Sequence, residues 1–445
     1  MEQAIKAQAY PRKRFFLDMF TRDISVEDCI LDLLDNSIDA LIRTRRISLA
    51  DLLTGPVAVI EGDELPSVDF TYARDKITIV DKCGGIRQDT VRNNVFSFGH
   101  TADYSPGLLG VYGVGMKRAL FKLGDAFHIK SQTTQGGFEV ELNVRNWAEK
   151  DEGPDDWLID IDLIEGVHDL GEAGTAITIS QLRQDTKQRF QDPMTMERLR
   201  KEIGRAYCLF LNRHVHLRMD GSRVEPAQLP IAESEEARAG KIVFEQDGVR
   251  VTILASLLPK EQWSYEQAGW YVFCNGRLVV AADKSDLTGW GEEFPLFHTK
   301  YNGFYGIAFF ESENPLALPW TTTKRGLNRE SPVYRAARKR MKILGYPVTT
   351  FLSRMHPTDP AETAAGMEIA QSVQQVSIKA MIDKPESQFE IIRKLPAEKA
   401  TVRIQYDADK ADVERAKKRI GRSSMGASRV GEYTLNYFLD KECPE

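Results

Sequence analysis

Within residues 28–40, Asp28, Asp32, Asp35, Asn36 and Asp39 recur at helical spacing. At about 100° per residue they share one side of a helix, while Ile30, Leu34, Ile38 and Leu41 share the other. The apolar side can pack on a sheet, which leaves four carboxylates and one amide on the polar side. Like charges at helical neighbour spacing repel by a few tenths of a kcal/mol per pair. No Lys or Arg is interleaved to offset that repulsion. A divalent cation with its ligand would relieve it. A solvated acidic surface is the alternative, and this run by itself leaves both open.

Three further motifs follow in order. Asp81-Lys82-Cys83-Gly84-Gly85-Ile86 puts a carboxylate at a strand end before a double-glycine turn. Such a carboxylate can accept a hydrogen bond from a ligand amine, and the glycines allow the ligand close to the backbone. A simple turn has the same pattern. Gly110-Val111-Tyr112-Gly113-Val114-Gly115-Met116-Lys117 opens a helix. Backbone N–H groups exposed there suit a phosphate, and Lys117 adds charge. It is not a P-loop, because GxxxxGK[ST] is absent, and no strand directly precedes it as a dinucleotide fingerprint requires. A flexible linker is the alternative. Gly174-Thr175-Ala176-Ile177-Thr178-Ile179 is a turn entering a strand, and alone it is an ordinary β-turn.

The elements that must hold these motifs can be read from the pattern around them. Ser25 with Asp28 reads as a helix N-cap with an acidic third position, and the helix runs over 26–43. Residues 76–80 alternate as a strand, 89–98 read as a short helix, 99–115 as a glycine-rich stretch, and 116–123 resume helical spacing. Strands follow at 126–131, 137–144, 157–163 and 175–179, then a helix at 194–211 and a hairpin across Asp220-Gly221. This mixture predicts an α+β layer of helices on one sheet. A second domain begins near Ile231, with strands at 249–257, 269–273 and 305–310 and a hairpin turn at Asn275-Gly276. Residues 319–328 form a loop, and a basic helix covers 332–344. Beyond it come a linker, a helix over 361–381, and a strand, helix and strand at 401–406, 409–420 and 432–439. The chain thus divides into 1–230, 231–350 and 351–445.

Composition sets the class. The 445 residues are 42% hydrophobic and 28% charged, which reads as a soluble globular chain of two or three domains. A net charge of −6 argues against a generally nucleic-acid-coating protein, although local basic stretches remain. Five scattered cysteines without a CxxC pair argue against a disulfide framework or zinc site and for a reducing cytoplasm. No signal-peptide core and no apolar run of transmembrane length is present, so no membrane is expected.

Together and in this order, the acidic helix and the three glycine motifs resemble the GHKL ATPases: gyrase B subunits, ninety-kilodalton heat-shock chaperones, histidine kinases and MutL, with the related MORC proteins. The resemblance implies the Bergerat fold, helices over a mixed sheet with ATP between them. It implies Asn36 as Mg²⁺ ligand, with Asp39 beside it at the nucleotide. One amide suffices, because Mg²⁺ fills its shell with phosphates and water. Asp81 would accept from the adenine amine with Thr175 supporting it, and Gly85 and Ile86 would line the adenine pocket. Asn94, Ser97, Gly99, His100 and Thr101 stand where the lid begins. Gly110, Val111, Tyr112, Gly113, Val114 and Gly115 would form the lid and grip the phosphates, helped by Lys117.

Two positions depart from the family pattern. The family's catalytic base is usually Glu, four residues before the metal-binding Asn. Here it is Asp32, one methylene shorter, with Asp35 a poorer substitute. Cys83 stands where many relatives have the first glycine of their turn, so Gly84 would supply the flexibility. In the second domain, the hairpin Trp270–Val279 and the loop Pro319–Asn328 resemble the transducer of MutL and MORC-type proteins, whose loop lysine reaches the γ-phosphate. Lys324 is then the switch residue. The layout is closest to bacterial stand-alone MORC-like proteins. It implies a slow, Mg²⁺-dependent ATPase that closes as an ATP-dependent homodimer on DNA or with a separate DNA-processing effector, in genome maintenance or anti-phage defence. An ATP-gated scaffold or chaperone with little hydrolysis is the alternative. The basic stretches at 324–342 and 415–422 could meet phosphate backbones or simply balance an acidic protein.

Overall fold

Local signals set the first helices. In this computed structural model α1 (Lys13–Arg22) and α2 (Val26–Arg45) are the first helices among the described residues, and Ser25 Oγ caps α2 by accepting from the Asp28 amide at 3.0 Å. Arg46, in the left-handed region with φ 52°, ends α2. The structure describes residues 11–54, 65–91, 95–97, 108–110, 113–151, 153–165, 172–292, 294–355, 360–393 and 404–443. Of the expected nucleotide contacts, Asn94, Gly99, Thr101, Val111 and Tyr112 lie outside these, as does His100. The chain forms two compact units, Met1–Pro396 and Ala397–Glu445.

The first unit is α+β. Its first sheet contains β1 (Ser67–Ala73), β2 (Lys76–Asp81), β3 (Gly124–Thr133), β4 (Gly136–Asn143), β5 (Asp162–Ile164), β6 (Gly174–Leu182), β7 (His216–Met219) and β8 (Ser222–Arg223). The strand order is β5-β4-β3-β6-β2-β1-β7-β8, antiparallel except for the parallel pair β1–β7. The helices accompanying it are α3 (Leu49–Thr54), α4 (Gln88–Thr90), α5 (Gly115–Leu123), α6 (Val144–Glu149), α7 (Gln184–Gln191) and α8 (Pro193–Ala206). Ile30, Leu34, Ile38 and Leu41 on α2 are all buried in the core, worth about 2 kcal/mol each in apolar burial. Alternation in β2 turns Ile77, Ile79 and Asp81 to one buried face.

A second sheet follows, built from β9 (Ala232–Glu233), β11 (Gly240–Gln246), β12 (Val249–Leu257), β13 (Gly269–Cys274), β14 (Arg277–Asp283), β15 (Phe304–Glu311) and β16 (Gln374–Gln375), while β10 (Ala237–Arg238) pairs with β17 (Glu390–Ile391). Asn275 and Gly276 both take positive φ, 46° and 80°, as a two-residue hairpin between β13 and β14 requires. Helix α9 (Pro332–Arg354) packs on β12. Segments α10 (Pro360–Ser372) and α11 (Ile378–Asp383) return the chain to this sheet, where the buried Lys241 donates to the carbonyls of Ile382 and Lys384. The second unit holds α12 (Lys410–Ile420) and α13 (Ala427–Glu442). Cys29, Cys83, Cys208 and Cys274 are buried, which pushes all four thiol pKa values up, Cys208 to about 12, whereas Cys443 is exposed. Among the described residues no helix is long and apolar enough to cross a membrane.

Several elements differ from the sequence pattern. Residues 432–439 are helical within α13, not a strand. Tyr433, Leu435, Tyr437 and Leu439 mimic period 2, but the run between turn residues is longer than strands usually are. Residues 404–406 form no strand, and 401–403 lie outside the described residues. The helix expected over 361–381 breaks after Ser372, because Gln374 and Gln375 pair with β9 and Ser377 caps a new helix. Residues 157–163 form a 3₁₀ turn ending at Trp157 and only a short strand, β5. Helix α9 continues past Leu344 and through Pro347, with Gly345 laid so close to Phe294 that a Cβ there would stand 2.7 Å from the ring.

Candidate functional site

The acidic face of α2 is buried. Asp32, Asp35 and Asp39 are only 4%, 1% and 6% exposed, so the face is not a solvated surface. The protein itself supplies the counter-charges. Arg118 of α5 pairs with Asp32, Nη2 to Oδ2 at 3.0 Å. Lys324 Nζ donates to Asp35 Oδ2 at 2.6 Å, and Arg277 Nη1 lies 3.2 Å from the same oxygen. Asp39 spends both oxygens on backbone, accepting from the Leu109 and Gly110 amides at 2.6 Å each. Like-charge repulsion along the helix is therefore relieved by remote cationic side chains and by backbone amides. Burial nevertheless outweighs these partners: it raises the pKa of Asp32 and raises that of Asp39 to about 6. Asn36 donates Nδ2 to the Asp32 carbonyl at 2.9 Å. That bond fixes the amide and leaves Oδ1 as the side chain's oxygen donor at the cavity it lines.

Strand register builds the opposite wall. Asp81 of β2 is paired across from Thr175 of β6, and Thr175 from Ser131 of β3. Asp81 Oδ2 accepts from Ser37 Oγ and Oδ1 from the Cys83 amide, both at 3.0 Å. Burial raises its pKa to about 6 against these bonds. Thr175 Oγ1 and Ser131 Oγ share a hydrogen bond of 2.9 Å, and Ser131 also accepts from the Ile86 amide at 2.8 Å. The turn after Asp81 needs its glycines where they stand: Gly84 and Gly85 have φ of 114° and 72°, and a Cβ on Gly85 would lie 1.9 Å from the Gln132 carbonyl oxygen. Cys83 is not among the residues of positive φ, so its departure from glycine costs the turn nothing.

The cavity between α2 and these strands is closed by α5 and the glycines before it. Asp32, Asn36, Asp39, Asp81, Ile86 and Thr175 line it from the helix and sheet, and Gly110, Gly113, Val114, Gly115 and Lys117 from the glycine segment. Gly85 is not in the lining; it shapes the turn behind Ile86. Among the described residues no side chain caps the N-terminus of α5, so there its first amides have no side-chain acceptor of the usual kind. Gly115 sits against Asp32, where a Cβ would stand 3.0 Å from the carboxyl carbon. Lys117 Nζ donates to the Val95 carbonyl at 2.9 Å, and burial lowers its pKa to about 8.

Lys324 enters the same cavity from the second sheet's side of the unit, with Thr322 beside it. Its loop is a tight one: the Thr321 amide donates to the Gly326 carbonyl, the Lys324 amide to the Thr321 carbonyl, and Lys324 itself has φ 54°. Arg325, next along, pairs with Asp28 and Glu202. Four functional neighbours were not singled out from sequence. Arg118 directly follows Lys117 and shows only helical spacing in the sequence. Arg277 lay inside the hairpin motif without a role. Tyr207, whose hydroxyl donates to Asp35 Oδ1 at 2.8 Å, and Ser131 carry no local signal. The strand register is what places Ser131.

No curated protein matches this chain. Residues 24–165, the stretch that carries α2, the Asp81 turn and α5, match the family model described as Histidine kinase-, DNA gyrase B-, and HSP90-like ATPase, a family of ATP-binding domains.

Proposed function

We infer that the first unit binds Mg·ATP in this cavity and hydrolyses it slowly. The observation that carries the reading is convergence: Asp81, the Asn36 amide, the open N-terminus of α5 and Lys324 all face one cavity within the matched family region or beside it. Asp81 accepts from the adenine amine, with Thr175 and Ser131 beside it. The α5 amides, Gly113, Gly115 and Lys117 take the phosphates. Asn36 Oδ1 is a hard oxygen of the type Mg²⁺ takes, and its amide is already oriented by the Asp32 carbonyl. The ion, when bound, would neutralise phosphate charge. Asp32 is the base for the attacking water. Burial raises its pKa toward the working range of a base, and bare Gly115 lets α5 approach its short arm.

One observation favours slow turnover. Asp32 is engaged by Arg118 and Lys324 by Asp35, so both must be released or shared before they act on water and phosphate. This also keeps the scaffold reading, ATP binding with little hydrolysis, in play. Titration calorimetry with ATP and Mg²⁺, beside steady-state phosphate release, tests the proposal. Asp32→Asn should retain binding and lose hydrolysis by about 10²-fold or more, and Lys324→Ala should weaken ATP but not ADP. Failure to bind ATP overturns the whole reading; binding without hydrolysis in the wild type leaves the scaffold version. The further steps, ATP-dependent closure of two copies and action on DNA or a DNA-processing partner, rest on resemblance to MORC-like and MutL proteins. Arg325, Arg329 and Arg338 of the first basic stretch are paired with acids, and so are Arg415 and Lys417 of the second, so ion pairing favours neither stretch as a DNA contact. A gel shift with and without a non-hydrolysable ATP analogue decides the DNA question.

A further inference from the structure

Behind the cavity wall one buried carboxylate stands between two buried cations. The side chains of Asp35, Arg277 and Lys324 are 1%, 2% and 7% exposed. Lys324 Nζ makes a hydrogen bond of 2.6 Å to Asp35 Oδ2. Arg277 Nη1 is 3.2 Å from that oxygen as an ion pair, yet among the described residues neither its Nη1 nor its Nε has a hydrogen-bond partner. Two positive charges share one carboxylate, and the better-formed contact goes to the lysine.

The two cations differ in freedom. Arg277 follows a wedged turn: Asn275 accepts from the Ser312 amide and donates to the Ser312 carbonyl, and a Cβ on Gly276 would stand 2.6 Å from Leu52 Cδ1. Lys324 lies in a loop, in the left-handed region that a side-chain-bearing residue occupies under strain. It also lines the cavity, whereas Asp35 and Arg277 do not. Only the lysine is placed to leave.

We propose that Asp35 is the resting counter-ion of Lys324 and Arg277 its reserve, so that a terminal phosphate can draw the lysine into the cavity without stranding a buried carboxylate. Removing one member of a buried pair ordinarily leaves an uncompensated charge and is strongly unfavourable. Here Arg277 completes its contact to Asp35 as Lys324 departs. ADP lacks the phosphate that draws the lysine, so it leaves the resting pair intact. Asp35 and Arg277 are thus positioning residues that set the preference for ATP over ADP. The proposal rests on the reading that Lys324 meets the terminal phosphate.

The test is the ratio of ADP to ATP dissociation constants, measured on the full chain. Arg277→Met removes the reserve and should weaken ATP by about tenfold or more while leaving ADP unchanged. Arg277→Lys, which keeps the charge, should restore most of the ratio. Asp35→Asn releases the lysine and should raise the ratio. Thermal melts establish that each variant is folded; if Arg277→Met is not, Asp35→Asn decides. Equal shifts for ATP and ADP, or no shift, overturn the proposal. Lys324→Ala separates the two levels. If it keeps the ATP preference, the underlying reading of Lys324 fails. If it abolishes that preference while the Arg277 and Asp35 variants keep the wild-type ratio, the reserve-cation proposal alone fails.

Discussion

Replacing Asp81 by Asn should make the free protein more stable and the nucleotide bind more weakly. Burial raises the folded-state pKa of Asp81 to about 6 from an ordinary 3.8. A carboxyl shifted up by roughly two pH units contributes about 3 kcal/mol that is fully present below the unfolded pKa and lost as pH rises through the folded one. At neutral pH that contribution is gone, and the protein holds a buried ionised group. Asn is isosteric. Its Oδ1 keeps the Cys83 amide bond, and its Nδ2 can donate to Ser37 Oγ, reversing the bond seen now. Between about pH 5 and about pH 8 the variant should therefore gain about 1.4 kcal/mol on wild type in urea denaturation, because only wild type loses its protonated Asp81 over that range. The amide presents a donor where the adenine amine needs an acceptor, so ATP affinity should fall about 10- to 100-fold. A wild-type-to-variant stability difference that stays flat with pH, or runs the other way, would refute the argument that burial dominates at Asp81.

Two further outcomes follow from the same geometry. Arg118→Met leaves Asp32 buried without its nearest cation and should cost about 3–5 kcal/mol in chemical denaturation; adding Asp32→Asn should recover most of it, giving a large coupling in the double-mutant cycle. Lys117, whose pKa burial lowers to about 8, should lose its proton as pH rises past that value. ATP affinity should decline as pH rises above it, and Lys117→Ala should abolish that part of the pH dependence.

What could be read from the chain was mostly local. Ser25 capping α2, the burial of Ile30, Leu34 and Ile38, and the positive φ of Gly84, Gly85, Asn275 and Gly276 all follow from neighbours within a turn or two. The neutralisation of the acidic helix could not be read this way. Arg118, Arg277 and Lys324 come from 86 to 289 positions along the chain from their partners, and no spacing rule connects them. The missing local counter-charge is met at Asp32 and Asp35 by arginine and lysine brought in by tertiary structure, which leaves the magnesium expectation at Asn36 a separate matter. In the last hundred residues the helix expected over 409–420 is α12, whereas two other stretches depart from the sequence pattern for a related reason. Gln374 and Gln375 leave a helical run to complete a sheet edge, a choice made by β9 and not by their own propensity. Residues 432–439 carry an ambiguous period, which length alone resolves as helix.

The cysteines give this molecule a graded record of its own opening. Four thiols are enclosed and held protonated, and one is open to solvent. The enclosed ones are spread over different parts: Cys29 on the acidic helix, Cys83 in the turn after Asp81, Cys208 just past α8, and Cys274 at the end of β13 beside the hairpin tip. A thiol reagent added to the native protein should label Cys443 at once and each of the others only as its element lets go. Followed by mass spectrometry with and without nucleotide, the order of labelling becomes a clock that tells which part of the fold a bound ligand holds shut.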